Sequence, residues 1–441
     1  MRKTRTTRRA VALMAAAAIG TSLLAGCASD EDTGSGTGGS GDSDGKTVIT
    51  VGLFGTFGFK EAGLYEEYER LNPKVKIQQT VIERNENYYP QLLTRLASNS
   101  GLADIQGIEV GNIAEVTATQ ADKFADLSKA GGVSKSDYFD WKWNQATTKD
   151  GKTIGLGTDI GPMAICYRKD HFQAAGLPTD REEVGKLWAG DWQKYLDTGK
   201  RFMQNAPEGV AWVDSAGGLF NAAISSSATR YYDEQGEVIY KSNPEVKKAW
   251  DIAAKAASEG MTDKKEQFTP PWDKAINNGT FATISCPAWM LGYIQDKGGA
   301  KGKNKWDVAP APKPGNWGGS FLGVPEAGKN KEEAIKLAAW LTAPTQQAKL
   351  FAKRGSFPSA PKSYETPEVA DAKHEYFENA PIGKIFADAA EGIPTQVIGP
   401  KDQIIQENIT RSGLLQVEQK GLSPDKAWAA ATKTVDNALD E

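Results

Sequence analysis

The sequence is poor in the residues that most often build metal and catalytic centres. It has two histidines, His171 and His374, and three cysteines in 441 residues. With so few imidazole and thiol groups, we expect neither a histidine-rich metal site nor a histidine-dependent catalytic triad. There is also no G-x-S-x-G nucleophile elbow and no complete P-loop, because Ala146 replaces the glycine that would open one before Gly151. We therefore expect no metal and no cofactor.

Basic side chains are also fewer than acidic side chains once the amino-terminal segment is removed. The chain has 52 basic and 56 acidic side chains, for a net charge of −4. Removing residues 1–26 takes away five basic and no acidic residues, which leaves 47 basic against 56 acidic side chains. An acidic surface with mixed charges argues against a nucleic-acid partner.

The amino-terminal segment has the pattern of an export signal. Five basic residues precede an apolar run, 10–24, which is too short and too rich in alanine to span a membrane. The run ends in Leu-Leu-Ala-Gly-Cys, which resembles the lipobox of bacterial lipoproteins: small residues admit the peptidase, and the Cys27 thiol accepts a lipid. We predict a signal peptide at 1–26, lipidation of Cys27 and a flexible tether over 27–46. A lipid would hold the protein at the extracellular face of the cell membrane without spanning it; an ordinary signal peptide with a chance cysteine is the alternative.

The rest of the chain, residues 47–441, is long enough for two lobes with separate cores. It opens with a predicted strand at Val48–Phe54, a helix at Lys60–Leu71 and a second strand at Val75–Val81. Strands that alternate with helices indicate an α/β lobe, with ligand contacts at the carboxyl ends of the strands. Asn85 and Glu109 follow such strands and are candidate contacts.

One stretch has the pattern of a passage from one lobe to another. A short apolar strand ends at Leu156, a break rich in glycine and proline covers 157–162, and a second strand runs over Met163–Tyr167. Asp159 lies within the break. A carboxylate at such a crossing would face both lobes and the cleft between them.

Three aromatic side chains have unusual surroundings. Phe57 and Phe59 lie among glycines, which leave little neighbouring bulk to bury them, so they contact a ligand or pack inside their lobe. Trp289 comes just after an apolar strand and Pro287, where it would be half exposed. A tryptophan face stacks on the C–H groups of a pyranose while its N–H donates to a hydroxyl; core packing is the alternative.

Several segments together resemble extracellular solute-binding protein family 1, the sugar-binding lipoproteins and periplasmic proteins that serve ABC importers. The segments are the crossing at 151–172, the stretch Asn278–Trp289, the Gly-Gly return crossing at 316–321 and the Phe-Pro segment at 354–358. The resemblance implies a two-lobe, periplasmic-binding-protein-like α/β fold of type II, with a cleft between lobes joined by crossover hinge strands. It places lobe 1 at 47–158 plus 315–345 and lobe 2 at 159–314 plus 346–441.

The resemblance also implies a function and a set of ligand contacts. It predicts a non-enzymatic, monomeric subunit of an ABC importer that captures oligosaccharides, with cellobiose and cello-oligosaccharides as the ligand, and delivers them to permease subunits. Together with the residues above, the candidate contacts are Trp289, Asp159, Glu109, Trp317, Ser320, Phe57, Phe59, Asn85, Gly319 and Arg354.

Other interpretations fit the same sequence. Maltose, xylobiose and chitobiose are alternative ligands, and a sugar sensor that serves a signalling protein would have the same fold. A surface-anchored glycan hydrolase would need two opposed carboxylates, and Asp159 and Glu109 are a candidate pair. Cys166 and Cys286 both lie in apolar strands, where a disulfide and two buried free thiols are both compatible with the sequence.

Overall fold

The computed structural model describes residues 45–440. The predicted signal peptide, Cys27 and most of the predicted tether lie outside the described residues. Within 45–440, no helix combines the length and the apolar character needed to cross a membrane.

Strands and helices alternate in the first part of the described chain, and a run of helices follows the last strand. The strands are β1 Thr47–Phe54, β2 Val75–Ile82, β3 Ile105–Glu109, β4 Leu156–Gly157, β5 Asp159–Ile160, β6 Met163–Arg168, β7 Ala211–Val213, β8 Phe281–Pro287, β9 Trp306–Pro310, β10 Ser320–Gly323 and β11 Phe357–Pro358. The helices are α1 Leu64–Leu71, α2 Asn85–Ser98, α3 Val110–Thr119, α4 Asp140–Gln145, α5 Lys169–Ala174, α6 Arg181–Lys186, α7 Trp192–Met203, α8 Ala216–Ile224, α9 Pro244–Ser258, α10 Pro270–Asn278, α11 Met290–Gly302, α12 Lys331–Leu341, α13 Pro344–Arg354, α14 Pro367–Ala370, α15 Ile382–Glu391, α16 Asp402–Glu407, α17 Leu415–Lys420 and α18 Pro424–Asp440, with a π-helical segment at Asn408–Leu414 between α16 and α17.

Two separate sheets organise these elements into two lobes. The first sheet has the order β2-β1-β3-β10-β4, in which β1 pairs in parallel with β2 and β3 and β10 is antiparallel to its neighbours. The second sheet has the order β7-β8-β6-β9, with β6 antiparallel to both β8 and β9. Helices cover both sheets, so the predicted two-lobe α/β fold is confirmed.

Most of the buried aromatic surface lies in the second lobe. Among the largest fully buried side chains are Trp188, Trp212, Trp250, Trp272 and Trp306, all of them in the cores around the second sheet. The abundance of tryptophan in the sequence therefore mainly reflects core packing, which stabilises the lobe through buried apolar area.

The segments that pass between the lobes are paired with one another. The backbone N–H of Thr158 donates to Ser320 (3.0 Å), and that of Trp317 donates to Gly161 (2.9 Å). The outgoing and returning chains thus pair with each other, and β11 pairs antiparallel with β5 at the same place. This connection is a suitable place for a hinge. The lobe boundaries that we predict lie at this connection and stay a prediction. Helix α13 contributes to both cores, with Leu350 in the first and Phe351 in the second.

Cys166 and Cys286 form a disulfide between the neighbouring strands β6 and β8, with their Cα atoms 5.4 Å apart. This pairing decides between the two alternatives that the sequence leaves open. Both cysteines are fully buried, and the bond joins positions separated by 120 residues.

Removing this disulfide should destabilise the protein measurably. Closing so long a loop reduces the conformational entropy of the unfolded chain, and losing such a bond costs about 2–5 kcal/mol. We expect Cys166→Ala with Cys286→Ala to lower the free energy of unfolding by that amount in urea titrations without reductant. Wild-type protein unfolded in the presence of reductant should match the variant. An unchanged unfolding midpoint would show that the thiols are not paired in solution.

Candidate functional site

A cavity of about 270 Å³ lies between the two lobes, next to the paired crossing segments. Its walls come from the loop after β1, the start of α2, the end of β3, both crossings, the starts of α8 and α11, residues 265–268 and residues 403–418. The cavity brings together most of the contacts predicted from sequence: Phe57, Asn85, Glu109, Asp159, Trp289, Trp317, Gly319 and Ser320.

Two predicted contacts lie elsewhere. Phe59 is only 1 % exposed and packs in the core of the first lobe against Phe57 and Tyr65. Gly58, with φ 85°, turns the chain between the two phenylalanines, so Phe57 reaches the cavity while Phe59 points into the core. The Arg354 guanidinium pairs with Asp296 on α11 (Nη2 to Oδ2, 2.7 Å) and does not line the cavity. We therefore leave Phe59 and Arg354 out of the candidate site.

Aromatic rings form one wall of the cavity. Trp289, directly before α11, lies with its ring centroid 5.6 Å from Trp317, 6.1 Å from Phe268 and 6.0 Å from Tyr293. Its indole Nε1–H donates to the Trp317 carbonyl (2.9 Å). That N–H is therefore already used within the protein, which differs from our expectation that it donates to a ligand. This hydrogen bond orients the ring, which is only partly buried.

The glycine pair after Trp317 allows this close packing. Gly318 and Gly319 have φ of 90° and 104°, a region in which side chains are strained. A Cβ on Gly318 would lie 2.7 Å from Trp289 Nε1, and one on Gly319 would lie 2.7 Å from the Asp159 carbonyl. Glycine is therefore required at both positions for the crossing to approach the indole and Asp159.

Two carboxyl groups lie beside the returning crossing. Asp159 Oδ1 accepts hydrogen bonds from Thr158 Oγ1 (2.7 Å) and from the Ser320 N–H (3.0 Å). Glu109 caps α3 by accepting from the Gly111 N–H, and it is paired in register with Ser320 across β3 and β10. Both carboxyls thus flank the same residue on one wall. This placement disfavours the glycan hydrolase, which needs carboxyls on opposite sides of the sugar bond.

A buried lysine, Lys142 of α4, lies behind these carboxyls. It is 0 % exposed, its Nζ has no hydrogen-bond partner, and that atom lies 3.8 Å from the ring centroid of Phe321. Burial lowers the pKa of Lys142 to about 8, against the opposing effect of the Asp159 and Glu109 carboxylates. Burial likewise raises the pKa of Glu109 to about 7. Lys142 was not predicted from the sequence, because a lysine in a short helix is usually exposed to solvent.

Sequence reasoning also missed the wall formed by the segment after α15. Its lining side chains are Gln403, Gln406, Glu407, Thr410, Arg411, Leu415 and Glu418. A helical spacing of three and four residues separates most of them, and buried Ile405, Ile409 and Leu414 occupy the opposite face. This amphipathic spacing is the feature of the sequence from which the wall could have been predicted. The π-helical turn at Asn408–Leu414 brings Thr410 and Arg411 to the cavity, and such turns often occur at functional sites.

Amide groups complete the polar lining. Asn85, Asn221, Gln267, Gln403 and Gln406 present both donors and acceptors around the cavity. With the carboxyls and the aromatic wall, they provide hydrogen bonds for hydroxyl groups next to flat apolar surfaces. Among the described residues, no group of His, Cys, Asp and Glu side chains could hold a metal ion.

Buried carboxyls near the cavity make the stability of the protein depend on pH. Burial raises the pKa of Glu109, Asp214 and Glu418 to about 7 in the folded protein. Between roughly pH 4.5 and 7 the folded form therefore binds more protons than the unfolded form, so the free energy of unfolding falls as the pH rises. Each such group contributes about 1.4 kcal/mol per pH unit inside this window.

We therefore expect a higher melting temperature at about pH 5.5 than at about pH 8, measured by calorimetry. In Glu418→Gln, which keeps an acceptor for the Ala216 N–H, the difference between the two pH values should be smaller. A melting temperature that rises from the acidic to the alkaline condition would contradict the pKa directions.

Comparisons with known proteins identify the same protein family as the sequence resemblance. The family model "Bacterial extracellular solute-binding protein" matches residues 63–378, more than half of the chain. A crystal structure described as extracellular solute-binding protein family 1 is 44 % identical, covers 89 % of this chain and 99 % of its own, and superposes with a TM-score of 0.76.

Two more distant relatives have named ligands. The arabinooligosaccharide-binding protein of Bacillus subtilis (strain 168) is 24 % identical over 81 % of this chain and 82 % of its own length. An ABC-transporter-associated binding protein from B. animalis subsp. lactis Bl-04, in complex with β-1,6-galactobiose, is 20 % identical, covers 88 % of this chain and 97 % of its own, and has a TM-score of 0.76, which shows a shared fold. From the family match, the fold and the cavity between the lobes, this chain belongs to the bacterial extracellular solute-binding proteins.

Proposed function

We propose that this chain is the saccharide-binding subunit of an ABC importer, anchored by a lipid on Cys27 at the extracellular face of the cell membrane. The observation that carries the proposal is the composition of the cavity between the lobes. An aromatic wall around Trp289 and acceptor groups on Asp159, Glu109 and Ser320 line the same cavity. A sugar ring has the complementary surface, with C–H faces that stack on aromatic rings and hydroxyls that donate to carboxylates. Lobe closure around the ligand would then present a joint surface to permease subunits.

The charges of the cavity favour an uncharged ligand. Its arginines are already paired with protein carboxylates: Arg84 Nη2 lies 2.9 Å from Glu266, and Arg411 Nε lies 2.9 Å from the same group. Lys265 pairs with Asp263 (2.7 Å). A ligand carboxylate would therefore meet acidic groups and cations that are already engaged, at an unfavourable electrostatic cost. This argues for neutral saccharides over uronic acids and amino acids.

Within the saccharides, we propose cellobiose and cello-oligosaccharides as the ligand to test first, because the sequence resemblance to extracellular solute-binding protein family 1 implies them. Arabino-oligosaccharides come second, since a relative from Bacillus subtilis binds them according to its name. Both are neutral oligosaccharides with the same alternation of hydroxyl edges and C–H faces, so the cavity chemistry supports the class more strongly than either member.

Intrinsic tryptophan fluorescence tests the proposal, because Trp289 lies in the cavity wall. A soluble Cys27→Ser chain would be titrated with cellobiose, cellotriose, arabinobiose, xylobiose, maltose and chitobiose, with glutamate and galacturonate as charged controls. We expect a saturable change with at least one neutral saccharide and none with the charged controls. Chromatography of the incubated sugars should show no shorter products. A response to an amino acid alone, or release of shorter sugars, would overturn the proposal.

A further inference from the structure

Ion pairs join the two lobes at the rim of the cavity. Arg84 and Glu86 belong to the first lobe, at the start of α2, whereas Glu266 and Arg411 belong to the second. Across the lobes, Arg84 Nη2 lies 2.9 Å from Glu266 Oε1, and Arg411 Nη1 lies 3.7 Å from Glu86 Oε1. Within each lobe, Arg84 also pairs with Glu86 and Arg411 with Glu266. The four side chains thus form a closed ring of alternating charge.

This ring lies at the edge of the cavity. All four side chains line the cavity, yet they remain 21 %, 23 %, 28 % and 46 % exposed for Arg84, Glu86, Glu266 and Arg411. Side chains with one surface toward a cavity and the other toward water lie at its edge. A ligand that extends past this edge would have to occupy the space of the ion pairs.

The volume of the cavity is consistent with such a limit. At about 270 Å³ it lies just below the range of roughly 300–1,000 Å³ that is common for ligand pockets. A space of this size suits a short saccharide, so a longer chain would have to extend past the ring.

We propose that Arg84, Glu86, Glu266 and Arg411 form a latch that holds the two lobes closed and restricts the cavity to short saccharides. The restriction on length rests on the proposed function, whereas the closing of the lobes does not. A ring of four partly buried charges is held together more strongly than an isolated surface pair, because each group has two partners and is partly shielded from water. Salt at about 0.5 M shortens the Debye length to a few ångströms and should weaken the latch.

Pulsed electron resonance between spin labels on the two lobes tests the latch without any ligand. Labels on Ser98→Cys in α2 and Lys248→Cys in α9 use exposed positions on opposite lobes. We expect a short distance in the wild-type background. Glu266→Gln should add a population at longer distance, as should high salt. The charge exchange Arg84→Glu with Glu266→Arg should restore the short distance.

The control breaks an exposed ion pair away from the rim. Lys247→Gln removes the pair with Asp251 on α9 and should leave the distances unchanged. Identical distance distributions in wild type, Glu266→Gln and high salt would overturn the latch.

Affinities for cellobiose and cellotetraose, measured by calorimetry, test the restriction on length. We expect Glu266→Gln to shift the affinity ratio toward the longer sugar by about tenfold, since the longer chain no longer has to displace the ion pairs. An unchanged ratio would overturn the restriction on length. If neither sugar binds to wild type or to Glu266→Gln, the proposal that cello-oligosaccharides are the ligand is overturned. The distance measurement then still tests whether the ion pairs hold the lobes closed.

Discussion

Replacing Trp289 with alanine is expected to weaken saccharide binding by about 30- to 100-fold, equivalent to roughly 2–3 kcal/mol, as for a central aromatic anchor in a binding site. The change removes the main flat surface of the cavity wall and also the hydrogen bond to the Trp317 carbonyl, which positions the Gly318-Gly319 crossing. Calorimetric titration with the saccharide that binds wild type best would measure the loss.

Two further variants show whether the effect comes from the ring itself. Trp289→Phe keeps an aromatic face but loses the hydrogen bond, so it should retain most of the affinity. Trp340→Ala removes a partly buried indole that packs on Tyr68 in the first lobe, away from the cavity, and should leave the affinity unchanged. If Trp289→Ala folds normally and binds as tightly as wild type, Trp289 is not the stacking surface.

Replacing Lys142 with methionine is expected to destabilise the protein by about 3–5 kcal/mol at pH 7, where the lysine is mostly charged, because two buried carboxylates lose their neighbouring cation. Lys142 is the cation nearest to two buried carboxyls, Asp159 and Glu109, which otherwise accept only hydrogen bonds from uncharged groups. The melting temperature should fall by roughly 5 °C. At about pH 5.5 the loss should be smaller, because the raised pKa of Glu109 allows that carboxyl to become neutral.

Matched variants separate the charge effect from loss of packing. Asp159→Asn in the Lys142→Met background removes one of the unpaired carboxylates and should recover part of the stability. Lys149→Met, an exposed lysine in the same region, should leave the melting temperature unchanged. Equal melting temperatures for Lys142→Met and wild type at both pH values would mean that the buried charges do not interact as we describe.

The fold was predictable because its signals are local. The break at 157–162 and the strand that follows it mark the crossing, and the structure has β6 at Met163–Arg168. The helix predicted over Lys60–Leu71 begins later, at Leu64, because Gly63 adopts a left-handed conformation (φ 75°) and ends the preceding turn. Gly63 is compatible with a helix that begins at Lys60 and with one that begins at Leu64, and only the tertiary structure decides between the two.

The candidate site was harder to predict, since its side chains come from distant parts of the chain. The two phenylalanines near Gly58 have similar local sequence, and a single backbone turn sends one to the cavity and the other to the core. Lys142 comes near Asp159 and Glu109 only through packing between elements. The polar face at 403–418 has a helical period, but the same period occurs on any solvent-exposed helix, so sequence alone does not indicate that it covers a ligand.

The crystal structure of the protein with the saccharide that binds most tightly in the fluorescence screen tests the central claim most directly. The account predicts a sugar ring in van der Waals contact with Trp289, with hydroxyls that donate to Asp159 or Glu109 and the lobes closed over it. A sugar bound outside the cavity between the lobes, or a cavity occupied by an amino acid and not by a sugar, would contradict it.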